Sequence, residues 1–152
     1  MINLQTAMVS ILMNKAKHNA EQFNKACADP FSTQQDKMLS IVRKNMSTEY
    51  GLRYGFSTIK TIRDFQRQLP VINYENIRSD IERVADGAKN VLTSEPPIMF
   101  ARTSGTMGKP KLIIVTPTCR GAEHSFVSSV WGYHLLKSHP NIVRGKTVSL
   151  VS

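Results

Sequence analysis

The stretch from Ile98 to Thr116 constrains this chain more than any other. Ile98-Met99-Phe100 and Leu112-Ile113-Ile114-Val115 are short apolar runs, and between them lies a loop of small, hydroxyl-bearing and basic residues, Thr103 to Lys111. Such a pattern predicts a strand, a polar loop and a second strand. Gly105 and Gly108 lack a Cβ, so the backbone there can take positive φ and turn successive N–H groups toward one point. A concavity of amides binds anions. Thr103, Ser104 and Thr106 add hydroxyl donors, while Lys109 and Lys111 add point charges suited to phosphate oxygens. The loop reads as a phosphate cradle.

It is not the commoner nucleotide loop. A Walker A motif separates its glycines by four residues and follows Gly-Lys with Ser or Thr at the start of a helix. Here only Thr106 and Met107 lie between the glycines, Lys109 is followed by Pro110, and a β-type run comes next. Thr103-Ser104-Gly105-Thr106-Met107-Gly108-Lys109-Pro110-Lys111 instead resembles the signature loop of the adenylate-forming superfamily, usually Thr-Ser-Gly-Thr-Thr-Gly-x-Pro-Lys. Met107 is the one departure; it removes a hydroxyl contact and leaves the backbone cradle intact. A Gly- and Thr-rich loop between strands is most often a plain hairpin connection, and the weight here comes from the length of the match.

The remaining composition sets bounds. The chain has 152 residues, 41% of them hydrophobic, enough for about one domain with a real core. Its net charge of +9 raises the possibility of a nucleic-acid partner. The bases are scattered from Lys15 to Lys146, however, without a run or an aromatic-interleaved stripe. After Glu95 the only acidic residue is Glu123, so the field around the loop is positive, which suits a polyphosphate equally well. Cys27 and Cys119 show no metal spacing, and a reducing compartment is the simpler expectation. No segment approaches the roughly 20 apolar residues that span a bilayer. The lysines of the N-terminus follow its apolar run, the wrong order for a signal peptide. The expected location is cytoplasmic.

Helical signals fill the region before the loop. Leu4, Met8, Ile11, Leu12, Ala16, Ala20, Phe23 and Cys27 recur at three- and four-residue spacing and form one face of a helix over about Leu4 to Cys27, with His18 and Asn19 off that face. Packing on the domain is the expected use of the stripe. Asp29-Pro30 ends the helix, and a second one is expected to begin with a cap at Ser32 or Thr33. Thr61 with Asp64 resembles a helix start, and Leu69-Pro70 its end. Asn73 can cap a helix whose face carries Tyr74, Ile77, Ile81 and Val84, stopped by Gly87; Glu82 and Arg83 fall off that face and are expected in solvent. Beyond the loop, Thr116-Pro117-Thr118 reads as a cap and a first turn. The helix it opens carries Ala122, Phe126, Val130 and Tyr133 and ends near His139-Pro140. His124, Trp131 and His134 lack a partner motif and are expected to be structural or exposed.

Asn45, Glu49-Tyr50-Gly51, Gly55-Phe56, Asp64-Phe65, Leu69-Pro70-Val71, Tyr74-Glu75, Ile81-Glu82-Arg83 and Gly87, leading into the signature loop, resemble the N-terminal part of the GH3 family. These are acyl-acid amido synthetases of the adenylate-forming superfamily. The resemblance covers roughly Asn45 to Thr116 and implies an α/β fold, of which residues 1–152 would be an incomplete N-terminal portion. That portion would be helical over 1–87, with a phosphate-loop hairpin at 98–116, a helix at about 118–138 and a strand from about Lys146. It implies ATP with Mg²⁺ as cofactors, and a small carboxylic acid and an amino acid as partners of the full-length enzyme. ATP phosphates would be held by Thr103, Ser104, Gly105, Thr106, Met107, Gly108 and Lys111, with Lys109 at the variable position and no catalytic residue or metal ligand assigned.

The expected chemistry is activation of a carboxylate as its acyl-adenylate, followed by transfer to an amine. The adenine-binding and mobile C-terminal parts of the family would lie beyond Ser152, so this chain reads as a fragment or truncated product that does not complete adenylation alone. An acyl-CoA ligase-type fragment is the near enzymatic alternative. A non-catalytic nucleotide-binding remnant is the second, and a basic nucleic-acid module, supported by charge alone, the third.

Overall fold

The computed structural model describes residues 4–104, 110–142 and 146, with side chains from Ser10 onward except that of residue 122. It is mostly helical with one small sheet, in the order α1 (Leu4–Ala28), α2 (Pro30–Lys44), α3 (Glu49–Arg53), α4 (Ile62–Gln68), α5 (Tyr74–Ala85), β1 (Met99–Arg102), β2 (Leu112–Val115) and α6 (His124–Ser138). A 3₁₀ turn, Phe56–Thr58, lies between α3 and α4, and a π-helical turn, Cys119–Glu123, leads into α6. The strand expected from about Lys146 falls outside the described residues.

Two compact units divide the chain, one formed by residues 1–28 and 121–152, the other by Asp29–Arg120. In the first, α1 packs on α6. Ala16, Ala20 and Val130 are buried, and the Asn19 amide donates to Ser129 Oγ at 2.7 Å. Asn19 was expected off the packing face and instead takes part in it. Ile11, Leu12 and Phe23, on the expected stripe, remain exposed. One partner helix covers only part of a helix's circumference, which leaves the rest of the stripe open.

The second unit is built from helices too short to stand alone, α3 having 5 residues and α4 having 7. Their ends are therefore closely capped. Asp29 accepts from Ser32 N with Pro30 opening α2, so the cap lies three residues ahead of the expected Ser32. Thr48 caps α3, Thr61 and Asp64 form a reciprocal capping box on α4, and Asn73 and Asn76 form another on α5. Leu39, Val42, Phe56 and Ile59 make the core, with Met38, Tyr50, Tyr54, Phe65 and Leu69 packed against it.

Arg83 is exposed, as expected, and is also paired. Its guanidinium grips both oxygens of Glu49 on α3, at 2.7 and 2.8 Å, and also approaches Asp80. Asp80 itself is buried and accepts from Arg53 Nη1 at 3.0 Å. This fork-to-carboxylate geometry ties α5 to α3. The bonds hold the Glu49 carboxyl below its usual range, Arg83 being the leading cause.

The backbone makes the same connection. Glu49 N donates to Asn90 O and Tyr50 N to Val91 O, which joins the start of α3 to the turn after α5. Gly51 follows at once, and a Cβ there would lie 2.2 Å from Asn45 O, a backbone atom that no rotamer change can move aside. We expect Gly51→Ala to destabilise the chain by about 1–3 kcal/mol, the usual range for overpacking. Urea unfolding checks this, and a midpoint equal to that of the unmodified chain would show that the close approach does not matter.

Candidate functional site

The hairpin brings together the two ends of the glycine-containing loop. β1 and β2 pair antiparallel, with Met99 opposite Val115, Phe100 opposite Ile114, Ala101 opposite Ile113 and Arg102 opposite Leu112. Thr103 and Lys111 then close the mouth. Thr103 N donates to Lys111 O at 3.1 Å, and Lys111 N donates to Thr103 Oγ1 at 3.1 Å. Thr103 and Ser104 thus stand at the entry and Lys111 at the exit, all three exposed. Gly105, Thr106, Met107, Gly108 and Lys109 lie outside the described residues.

Residues of α5 fix this mouth. Tyr74, in the first turn of α5, places its hydroxyl against Leu112, accepting from the Leu112 N–H at 2.8 Å and lying 3.3 Å from the Leu112 carbonyl oxygen. The Lys111 ammonium lies 5.5 Å from the centroid of the same ring, and the Arg78 guanidinium 4.7 Å from it. Arg78 is also held by both carboxylate oxygens of Glu75. An aromatic face attracts cations through its quadrupole, so the Lys111 charge has a seat at the loop exit.

The other end of each strand is held by Glu95. Its carboxylate meets Lys44 Nζ at 2.7 Å and accepts from both the hydroxyl and the amide of Thr118. Lys44 Nζ also donates to Thr118 Oγ1 at 2.9 Å, and Asn45 Oδ1 accepts from Ser94 N. The C-terminal end of α2 therefore anchors both the segment entering β1 and the one leaving β2. The Lys44 ammonium, then the Thr118 hydroxyl, with smaller help from Thr116, hold the Glu95 carboxyl down at about 2.

Sequence reasoning missed Tyr74, Glu95 and Lys44 as parts of this frame. Tyr74 carried a signal, because a tyrosine on a buried helical face needs a partner for its hydroxyl. Glu95 carried none, since its partners are distant in the chain. His124 and Trp131 are both exposed on α6, as expected for residues without a partner motif. Phe23, Phe126, Val127, Val130, Trp131 and His134 line an apolar groove between α1 and α6 within the first unit.

Comparison with known proteins identifies the lineage. The model of the GH3 family N-terminal domain matches residues 19–152. The chain belongs to the GH3 family. Among GH3 relatives, the indole-3-acetic acid-amido synthetase GH3.4 of Arabidopsis thaliana is 30% identical over 113 residues, covering 72% of this chain and 19% of the relative. Indole-3-acetic acid-amido synthetase GH3.15 of the same plant is 37% identical over 117 residues, covering 75% of this chain and 19% of the relative. The probable indole-3-acetic acid-amido synthetase GH3.2 of Oryza sativa subsp. japonica is 35% identical over 86 residues, covering 55% and 14%. The chain thus spans about a fifth or less of the length of these relatives. Among the described residues, no helix is long and apolar enough to cross a membrane.

Because the Glu95 carboxyl titrates below an ordinary carboxylate, its bonds stabilise the fold fully above the ordinary range, and that contribution falls away as pH drops toward about 2. Glu95→Gln removes this term. We expect the variant to melt lower at pH 7 and to show a shallower loss of melting temperature between pH 5 and 2. Parallel acid slopes for the two proteins would exclude a native-state role for the Glu95 charge.

Proposed function

We propose that this chain supplies the ATP phosphate-binding loop of an acyl-acid amido synthetase. The observation that carries the reading is the closed mouth at Thr103 and Lys111, in a GH3 family chain whose intervening loop contains Gly105 and Gly108. A hairpin whose ends are pinned to each other can present the loop amides to one anion without unravelling the strands. The Lys111 ammonium and the Thr103 and Ser104 hydroxyls at that mouth are donors, the chemistry a polyphosphate needs.

In this reading a carboxylate attacks the α-phosphorus of ATP, giving an acyl-adenylate and pyrophosphate; an amino acid then displaces AMP to form an amide. The relatives carry names of this activity, with indole-3-acetic acid as the acyl substrate. The loop's work is electrostatic. Thr103, Ser104, Thr106 and Lys111 would donate to phosphate oxygens, and the amides about Gly105, Met107 and Gly108 would stabilise charge on the departing pyrophosphate. Among the described residues there is no group of three or more His, Cys, Asp or Glu suited to a metal ion. Mg²⁺, if it accompanies ATP here, would be held largely through the nucleotide's phosphate oxygens.

This chain alone binds ATP and does not complete adenylation. Isothermal titration should show ATP binding that Gly105→Val abolishes and Lys111→Ala weakens about tenfold, the scale of one charge-assisted contact. Purified chain given ATP, pyrophosphate and indole-3-acetic acid should not catalyse ATP–pyrophosphate exchange. Binding that ignores both substitutions would remove the phosphate reading, and exchange by the isolated chain would overturn its catalytic incompleteness.

A further inference from the structure

We infer that Tyr74 is a positioning residue for the phosphate loop, setting both the register of its exit strand and the place of Lys111. This rests on the phosphate reading of the loop and adds a residue from outside it.

The argument begins with the sheet. Along β2, alternate residues direct their N–H and C=O groups toward β1 and away from it. Lys111 O is bonded to Thr103 N, so the groups of Leu112 point to the opposite side, where no further strand lies among the described residues. The Tyr74 hydroxyl takes that place, 2.8 Å from Leu112 N and 3.3 Å from Leu112 O. One phenol thereby satisfies an edge position that would otherwise be free to slip or pair elsewhere. A one-residue slip in β2 would move the Lys111 side chain to the other face of the hairpin.

The ring does the second part. Lys111 Nζ lies 5.5 Å from its centroid, and the Arg78 guanidinium, anchored by Glu75, lies 4.7 Å from it. Two cations sharing one aromatic ring repel each other, so Arg78 limits how far Lys111 can settle onto the ring. A lysine held at a weak seat beside the loop is available to an incoming phosphate, and leaves the ring at little expense when a phosphate oxygen comes within reach. Asn73 caps the helix that carries Tyr74, which keeps the ring in a rigid first turn.

The test is ATP titration of the 152-residue chain against Tyr74→Phe, Lys111→Met and the double variant, with melting temperatures measured alongside. Tyr74→Phe keeps the ring and loses the hydroxyl, and is expected to weaken ATP binding about three- to tenfold. In the Lys111→Met background the same change should have less than a twofold effect, because the hydroxyl acts through the lysine. Nuclear magnetic resonance of the Lys111 methylene next to the ammonium should show an upfield ring-current shift that Tyr74→Leu abolishes. Unchanged affinity in Tyr74→Phe, with a real loss in Lys111→Met, would overturn the role of Tyr74 and leave the phosphate reading standing. Additive effects in the double variant would make Tyr74 a merely structural residue and also overturn it. Failure of the unmodified chain to bind ATP would remove the phosphate reading and this role together. Should Tyr74→Phe fail to fold, the ring-current shift of the Lys111 methylene in the unmodified chain carries the test, and its absence overturns the seat of Lys111 on the ring.

Discussion

One carboxylate sets the frame of the second unit. Glu95 takes the ammonium of Lys44 at the end of α2, the hydroxyl and amide of Thr118 beyond β2, and help from Thr116, so three segments far apart in the chain meet at one charge. Asn45, next to Lys44, adds a bond to the Ser94 amide. The strands are only four residues each, and a hairpin of that size is marginal by itself. Its outer ends are held by Glu95 and its mouth by Tyr74 and the Thr103–Lys111 pair. The hairpin is thus held at both ends.

The helices before it follow a related logic. Segments of 5, 7 and 12 residues cannot propagate helix on propensity alone, and each is closed by a side chain bonded to its first turn. α3 is further fixed through the Arg83 fork on Glu49 and the amides given to Asn90 and Val91. Gly51 is required where the chain passes so close to Asn45 that a methyl group has no room. These contacts converge on the same end of α2 that holds Glu95. The short helices, the α2 terminus and the strands form a single chain of dependence.

That dependence explains what could be read from residues alone. Asn73, Thr61 and Asp64 were legible because a cap is a local event, spanning three residues. The two strands were legible because apolar runs flank a polar loop. Asp29 was harder, since Ser32 and Thr33 are equally good cap types and only the Pro30 position decides between them. The pairing of Arg83 could not be read, because its partner Glu49 lies 34 residues away and nothing in either neighbourhood distinguishes a paired charge from a solvated one. Tyr74 was legible as part of an apolar face and illegible as a strand clamp. On α1 the stripe of Ile11, Leu12 and Phe23 was legible, but how much of it α6 covers depends on the tertiary partner rather than on periodicity.

On the phosphate reading proposed above, the loop between the strands would face two opposed demands. Its centre would need backbone conformations that glycines such as Gly105 and Gly108 permit. Its ends must be fixed, or the amides would not converge and binding would have to order the whole segment. In this chain the fixed parts use ordinary, sturdy interactions: a strand pair, a threonine hydroxyl closing on a lysine amide, a phenol on a sheet edge and a carboxylate on an ammonium. The permissive residues are confined between them. On that reading, substitutions in the frame would weaken phosphate binding through the loop's ends, though less than a substitution such as Gly105→Val within it.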